Sequence, residues 1–159
     1  MPTRIVLLRH AEKPDDDTCP DLSLKGQVRA AALAVYLPNR FGKPSKLIAA
    51  KRSQESNRPA LTLKPLSDAL GLAIDTRYEN TEFKSLAHEL AVDPKYRDAR
   101  IMICWHHGSI PQLAHVLGVH DVPDHWEDDV FDRIWLIEGF PSAPTLTRIH
   151  QKLLYGDND

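Results

Sequence analysis

The sequence predicts an α/β protein, a three-layer α/β/α sandwich with a mostly parallel central sheet and an antiparallel edge strand. Short runs rich in branched aliphatic residues alternate along most of the chain with segments of helical periodicity. This order is typical of parallel sheets covered by helices. Near the end of the chain two strand-like segments are separated only by a turn, which favours an antiparallel pair.

Length and composition limit the protein to a few classes. A chain of 159 residues predicts a single domain over residues 1–159, and 42% hydrophobic with 26% charged residues is typical of a globular protein. The net charge of −2 argues against a broad nucleic-acid surface. No apolar run approaches the roughly 20 residues of a membrane span, so we expect a cytoplasmic protein without membrane or nucleic-acid partners.

The first predicted strand ends in an arginine and a histidine. The apolar run over residues 5–8 stops at Arg9 and His10. The carboxyl ends of strands are where open α/β sheets bind ligands, so this pair indicates an anion pocket that contains a titratable nucleophile.

The next elements follow from periodicity and from turn residues. Residues 12–20 form a polar loop, and a helix capped by Ser23 extends over residues 26–36 until Pro38 stops it. Residues 47–50 form a second strand. The segment 53–70 becomes a helix that ends at Gly71, with Arg58 in its first turn.

The second half of the chain repeats this pattern. We expect a strand over 72–76, a loop over 78–83, a helix over 86–92, a strand over 100–105 and a helix over 110–117. An acidic and aromatic loop follows over 120–129. Strands over 130–138 and 146–153 form the antiparallel pair, and residues 156–159 are expected to be frayed.

The predicted strand ends and helix start bring together Arg9, His10, Arg58 and His107. Two arginines can orient phosphate oxygens by bidentate hydrogen bonds. An unprotonated His10 can attack phosphorus, while a protonated His107 stabilises charge on the equatorial oxygens. The arrangement requires no metal or other cofactor.

Four short motifs resemble the histidine phosphatase superfamily, also called the phosphoglycerate mutase-like family. They are RHAE at 9–12, LSLKG at 22–26, RPALT at 58–62 and HG at 107–108, in the family's order. The resemblance implies a phosphatase that acts on phosphomonoesters or phosphohistidine through a phosphohistidine on His10. It implies substrate binding by Arg9, Arg58 and His107, and a phosphorylated small molecule or phosphoprotein as substrate. Mutase activity is not expected, because this chain has no room for a large cap.

The resemblance leaves the proton donor open. Many members use a glutamate after the third strand, for which Glu82 is preferred here over Glu79, and His106 is a further candidate.

Two other hypotheses compete with phosphoryl transfer to histidine. A metal-dependent hydrolase could use a cluster of imidazoles and carboxylates, although their spacing matches no tight motif; these are His106, His107, His120, Asp121, Asp124 and His125. A degenerate member could bind phosphorylated ligands without turning them over.

Overall fold

Six strands form one sheet in the structure, a computed structural model that describes residues 1–158. They are β1 (Arg4–Arg9), β2 (Lys46–Ala49), β3 (Ile74–Asp75), β4 (Arg100–Trp105), β5 (Arg133–Glu138) and β6 (Thr145–His150). The order across the sheet is β3-β2-β4-β1-β5-β6. Strands β1 to β4 are parallel, whereas β5 is antiparallel to β1 and β6 to β5. The predicted mostly parallel sheet with an antiparallel edge is confirmed.

Four α-helices cover the sheet: α1 (Leu24–Phe41), α2 (Arg58–Leu70), α3 (Phe83–Val92) and α4 (Ile110–Val116). The Ser23 hydroxyl caps α1 by accepting the Gly26 N–H at 3.0 Å. A proline in the first turn opens α2, and Gly71, at a φ of 62°, ends it in the left-handed conformation.

Alternation along β1 divides the core between the two faces of the sheet. Ile5 and Leu7 pack on one face with α3 and α4, against residues such as Leu86 and Leu113. Val6 and Leu8 pack on the other face, with α1 and α2; their neighbours include Leu33, Leu37, Leu63 and Leu66. Successive side chains of a strand point to opposite faces, so this buried strand joins both halves of the core. The result is the predicted three-layer sandwich.

Helix α1 differs from its prediction because Pro38 does not stop it. Pro38 lies inside the last turn, and its carbonyl accepts the N–H of Gly42 at 2.9 Å. Proline removes one helical hydrogen bond upstream but leaves its own carbonyl available, so a final turn can form after it. Phe41 in that turn is buried in the core, which stabilises the extension.

Four other elements differ from their predicted bounds by a few residues, among them β6, which ends at His150 instead of residue 153. Helix α3 begins at Phe83 instead of residue 86, and β3 keeps only two of its five predicted residues. Strand β5 begins at Arg133 instead of residue 130. The Val130 carbonyl accepts hydrogen bonds from the Trp126 and Arg9 side chains. The residues just before Arg133 therefore contact Arg9 at the crevice instead of extending the strand.

The predicted fraying of residues 156–159 is wrong for the part that the structure describes. The Asp157 side chain is buried against Arg29, and the backbone N–H of Asn158 donates to the Asp132 carboxylate at 2.6 Å. Asp159 lies outside the described residues. Within residues 1–158, no helix is long and apolar enough to cross a bilayer.

Candidate active site

A crevice of about 540 Å³ lies at the carboxyl ends of β1, β2 and β4, as expected for a sheet of this topology. Its lining is rich in arginine, lysine and histidine, with two carboxylates. The lining residues are Arg9, His10, Lys13, Lys51, Arg52, Ser53, Glu55, Ser56, Arg58, Glu79, Asn80, Thr81, His106, His107 and Gly108. Four of the five residues predicted for the site lie here, and Glu82 does not.

His10 is buried at the base of this crevice, with 3% of its surface exposed. Its ring Nδ1 lies 2.7 Å from the carbonyl oxygen of Ala11. A carbonyl can only accept, so Nδ1 carries the proton and Nε2 keeps its lone pair. Burial lowers the pKa of His10 to about 2, with smaller contributions from Arg9, His106 and Arg58. The imidazole is therefore neutral near pH 7, as a nucleophile requires.

The peptide unit that orients His10 is itself held by α2. The N–H of Ala11 donates to the Thr62 hydroxyl at 2.8 Å, and that hydroxyl donates to the Arg58 carbonyl at 2.8 Å. Both groups are buried. Thr62 therefore ties the loop after β1 to the helix turn that carries Arg58.

The two histidines after β4 face different neighbours. Arg9 and Trp105 are in register between β1 and β4, so the next residues, His10 and His106, lie side by side. Their rings meet edge to face with centroids 5.4 Å apart. His107 instead places its Nε2 3.0 Å from the Asp128 carboxylate. Because His106 contacts His10 directly, it is the closer of the two to the nucleophile.

Cationic surroundings and burial act on both of these histidines. Burial lowers the pKa of His106 to about 4, assisted by Arg58, His107 and Arg9. The pKa of His107 is also lowered, chiefly by burial and then by Arg9, while Asp128 opposes the shift. A bound anion would compensate the arginines and raise both pKa values.

Different atoms of the Arg9 guanidinium hold a neighbouring loop and remain available to an anion. One terminal nitrogen donates to the carbonyls of Asp128, Val130 and Glu127 at 2.6, 3.2 and 3.3 Å, which holds the 127–130 loop over the site. The guanidinium also stacks on Phe131, 3.8 Å from the ring centre. Its buried Nε has no partner among the described residues, so it keeps a donor for an anion.

Arg58 approaches the crevice from the first turn of α2. One terminal nitrogen donates to the Cys19 carbonyl at 2.9 Å, which fixes the loop before α1. Its Nε is likewise buried and unpartnered within residues 1–158. In each arginine, one terminal nitrogen is thus bonded to the backbone, while the Nε–H has no acceptor among the described residues.

A buried ion cluster supports the loop that follows His10. Arg29 on α1 donates to both Glu12 carboxylate oxygens at 2.8 to 3.0 Å and to Asp157 at 2.7 and 3.0 Å. A further bond of 2.8 Å reaches Gln151. Arg29 is 2% exposed, so the cluster is desolvated. It joins the site loop, α1 and the end of the chain.

Glu82, the preferred proton donor, lies outside the crevice. Its carboxylate accepts the backbone N–H of Glu79 at 2.8 Å and caps the short 3-10 turn Asn80–Glu82. This reciprocal capping holds it on the exposed surface. Glu79 does line the crevice and forms a contact of 3.5 Å with Lys51.

The imidazoles and carboxylates considered for a metal site are not brought together. Among residues 1–158, no group of three or more His, Cys, Asp or Glu side chains could hold a metal ion.

Sequence reasoning left three contributors without a role. Thr62 was part of a motif, but its link to Ala11 spans 51 residues. Phe131 and Arg29 gave no signal, because a single aromatic residue or a helical arginine is ordinarily a core or surface residue. The adjacent His106 and His107 could be separated only by strand register.

The comparisons with known proteins agree with this architecture. The sequence matches no family model and no curated protein. The structure has the fold of the histidine phosphatases, the class that the motifs indicated. It is similar to the protein histidine phosphatase SixA complexed with tungstate, with a TM-score of 0.69, 13% identity and coverage of 93% of this chain and 97% of that one.

Two further structures have the same fold. The alpha-ribazole phosphatase from Shigella flexneri has a TM-score of 0.67 at 14% identity, covering 98% of this chain and all of that one. A mycobacterial glucosyl-3-phosphoglycerate phosphatase with inorganic phosphate has a TM-score of 0.60 at 15% identity, covering 92% and 95%.

Proposed function

We propose that this protein is a phosphatase of the histidine phosphatase superfamily, and that it works through a phosphohistidine intermediate on His10. The observation that carries the proposal is the contact between His10 Nδ1 and the Ala11 carbonyl. That contact leaves Nε2 unprotonated at the base of a cationic crevice, where a phosphoryl group would bind. The similar structures, which include phosphatases of three different substrates, support the same reaction class.

The proposed reaction has two steps. His10 Nε2 attacks phosphorus, the bond from phosphorus to the leaving group breaks, and the leaving group takes a proton from a donor in the crevice. Water then attacks the phosphohistidine and returns a proton to that donor, which releases inorganic phosphate and restores the free imidazole. The unpartnered Nε atoms of Arg9 and Arg58 supply donors for the phosphoryl oxygens in both steps.

We assign the second histidine role to His106 in preference to His107. The His106 ring contacts His10, and phosphoryl binding would raise its pKa from about 4, so it gains a proton when negative charge arrives. His107, held by Asp128, lies at the edge of the same crevice and can donate to the phosphoryl group only from its other nitrogen, the buried and unpartnered Nδ1.

The position of Glu82 indicates which leaving groups the proposed enzyme would favour. With this carboxylate on the surface, the remaining donors are Glu79 and His106. Leaving groups that need little protonation would then be favoured. Phosphohistidine and aryl phosphates meet that requirement better than alkyl phosphates.

The testing experiment is hydrolysis of p-nitrophenyl phosphate from pH 4 to 8 in the presence of EDTA. We expect turnover by the wild type and loss of at least about a thousandfold in His10→Ala, because a nucleophile cannot be replaced by its surroundings. The surface variant His88→Ala is the matched control. Activity that depends on added metal would favour the metal-hydrolase hypothesis, and activity that survives His10→Ala would contradict the proposed intermediate.

A binding protein without turnover is the alternative. If inorganic phosphate binds while neither p-nitrophenyl phosphate nor phosphohistidine is hydrolysed, that alternative replaces the proposal.

A further inference from the structure

Two cations at the mouth of the crevice have no partner in the described part of the chain. The side chains of Lys13 and Arg52 line the crevice, yet neither forms a hydrogen bond or an ion pair with any of residues 1–158. Both are exposed. Lys51, on the same rim, differs because it contacts Glu79 at 3.5 Å.

The charges at the base and at the rim balance differently. Arg9 and Arg58 at the base carry two positive charges, and His106 gains a proton when the phosphoryl group binds, so the base matches the charge of about −1.5 to −2 on a phosphoryl group. At the rim, three cations, Lys13, Lys51 and Arg52, face two carboxylates, Glu55 and Glu79. One positive charge therefore remains at the rim after the phosphoryl group is bound.

Backbone contacts hold Arg52 in place. The Lys51 N–H donates to the Tyr78 carbonyl at 2.7 Å, and the Ser53 N–H donates to the Ser56 carbonyl at 2.9 Å. The Ser53 hydroxyl accepts the Ser56 N–H at 3.1 Å. These bonds on both sides of Arg52 fix the loop from which its guanidinium extends.

The two cations approach the site from opposite sides. Arg52 follows β2 and Lys13 follows β1, and β4, which ends next to His106, lies between these strands in the sheet. A ligand whose phosphoryl group rests near His10 and His106 therefore has a cation on each side of its outer part.

We propose that Lys13 and Arg52 form a second anion subsite, and that the physiological substrate carries a further anionic group, a phosphate or carboxylate, beyond the phosphoryl group that is removed. This inference rests on the proposed function for the identity of the first anion. It extends that function by naming the substrate class, a phosphorylated compound with a second negative charge.

The test measures Kd for inorganic phosphate and for methylenediphosphonate, a pyrophosphate analogue whose P–C bonds the proposed reaction cannot cleave, by titration calorimetry. The proteins are the wild type, the double variant Lys13→Gln/Arg52→Gln and the control Arg40→Gln/Lys43→Gln. The control removes one lysine and one arginine from exposed positions outside the crevice, so the change in net charge is the same. Thermal unfolding of each variant checks that the fold is retained.

We expect the wild type to bind methylenediphosphonate at least about tenfold more tightly than phosphate, because its second phosphonate group can accept charge-assisted hydrogen bonds from Lys13 and Arg52. The double variant should lose that preference, and the control should keep it. Equal affinities in the wild type, or the same loss in the control, would overturn the subsite. Failure of phosphate itself to bind would instead contradict the proposed function, so the two failures are distinguishable.

Discussion

Two adjacent histidines with different surroundings give the sharpest prediction at the residue scale. The His106 ring contacts His10, whereas His107 is engaged by Asp128. We expect His106→Ala to lower kcat by about 10²- to 10³-fold, the cost of losing one charge-stabilising donor. For His107→Ala we expect about tenfold or less. Steady-state kinetics with p-nitrophenyl phosphate measure both.

A larger loss in His107→Ala than in His106→Ala would restore the assignment that the His-Gly pair suggested. The comparison needs no external control, because each variant removes one imidazole from neighbouring positions of the same loop. Similar thermal stability of the two variants would show that kcat reports on the site and not on folding.

At the scale of elements, the Arg29 cluster joins the loop after β1 to α1 and to residues 151–157. Removing one member of a buried ion group leaves the other charges unpaired and costs about 3–5 kcal/mol. We expect Arg29→Met to lower the free energy of unfolding by this amount, measured by denaturation in urea. Glu12 and Asp157 would then be buried without their cation.

Arg4→Met is the matched control for that experiment. Arg4 also forms an ion pair, with Glu138 at 2.8 Å, but its side chain is 34% exposed and that of Glu138 is 44% exposed. A pair in contact with water contributes about 0–1 kcal/mol. Equal losses in the two variants would mean that the buried cluster contributes no more than a surface pair.

The helices and strands also show which parts of the fold can be predicted from the sequence. The strands β1, β2 and β4 follow from short aliphatic runs, and α2 ends at Gly71 as its left-handed cap predicts. These features are local. The extension of α1 past Pro38 and the start of β5 at Arg133 depend on distant partners, Phe41 in the core and Arg9 on the Val130 carbonyl.

The same division applies to the site. The sequence predicts one crevice for four residues that each lie at a strand or helix end, and the structure places all four there: Arg9, His10, Arg58 and His107. Whether His106 or His107 faces His10 depends on strand register, and whether Glu82 enters the crevice depends on one capping bond. Neither leaves a signal in composition or spacing.

At the scale of the whole molecule, the buried histidines make stability depend on pH. An unfolded histidine binds a proton below about pH 6.5, while His10 in the fold does so only near 2 and His106 near 4. Between pH 6.5 and 4 the unfolded state therefore binds more protons, so stability falls as the pH falls. Each of the two histidines contributes up to about 1.4 kcal/mol per pH unit in that window.

Urea denaturation of the wild type and of His10→Asn from pH 7 to 4.5 measures this dependence. We expect the variant to have a shallower slope by up to about 1.4 kcal/mol per pH unit, because the proton linked to His10 is removed. The exposed His88→Asn should keep the wild-type slope. An unchanged slope in His10→Asn would mean that His10 takes up its proton without unfolding.

The place of β1 in the sheet has a consequence for which part of the protein opens first. β1 is hydrogen-bonded on both sides, by β4 and by β5, and its side chains reach both halves of the core. Amide hydrogens in such a strand exchange with solvent only when the whole domain unfolds, whereas loops and edge strands exchange through small local openings. His10 directly follows this strand, and its own amide is bonded to the Trp105 carbonyl at 3.1 Å. We therefore expect the nucleophile to be attached to the part of the chain that exchanges most slowly, so that closing and reopening of surface loops leaves the position of His10 unchanged.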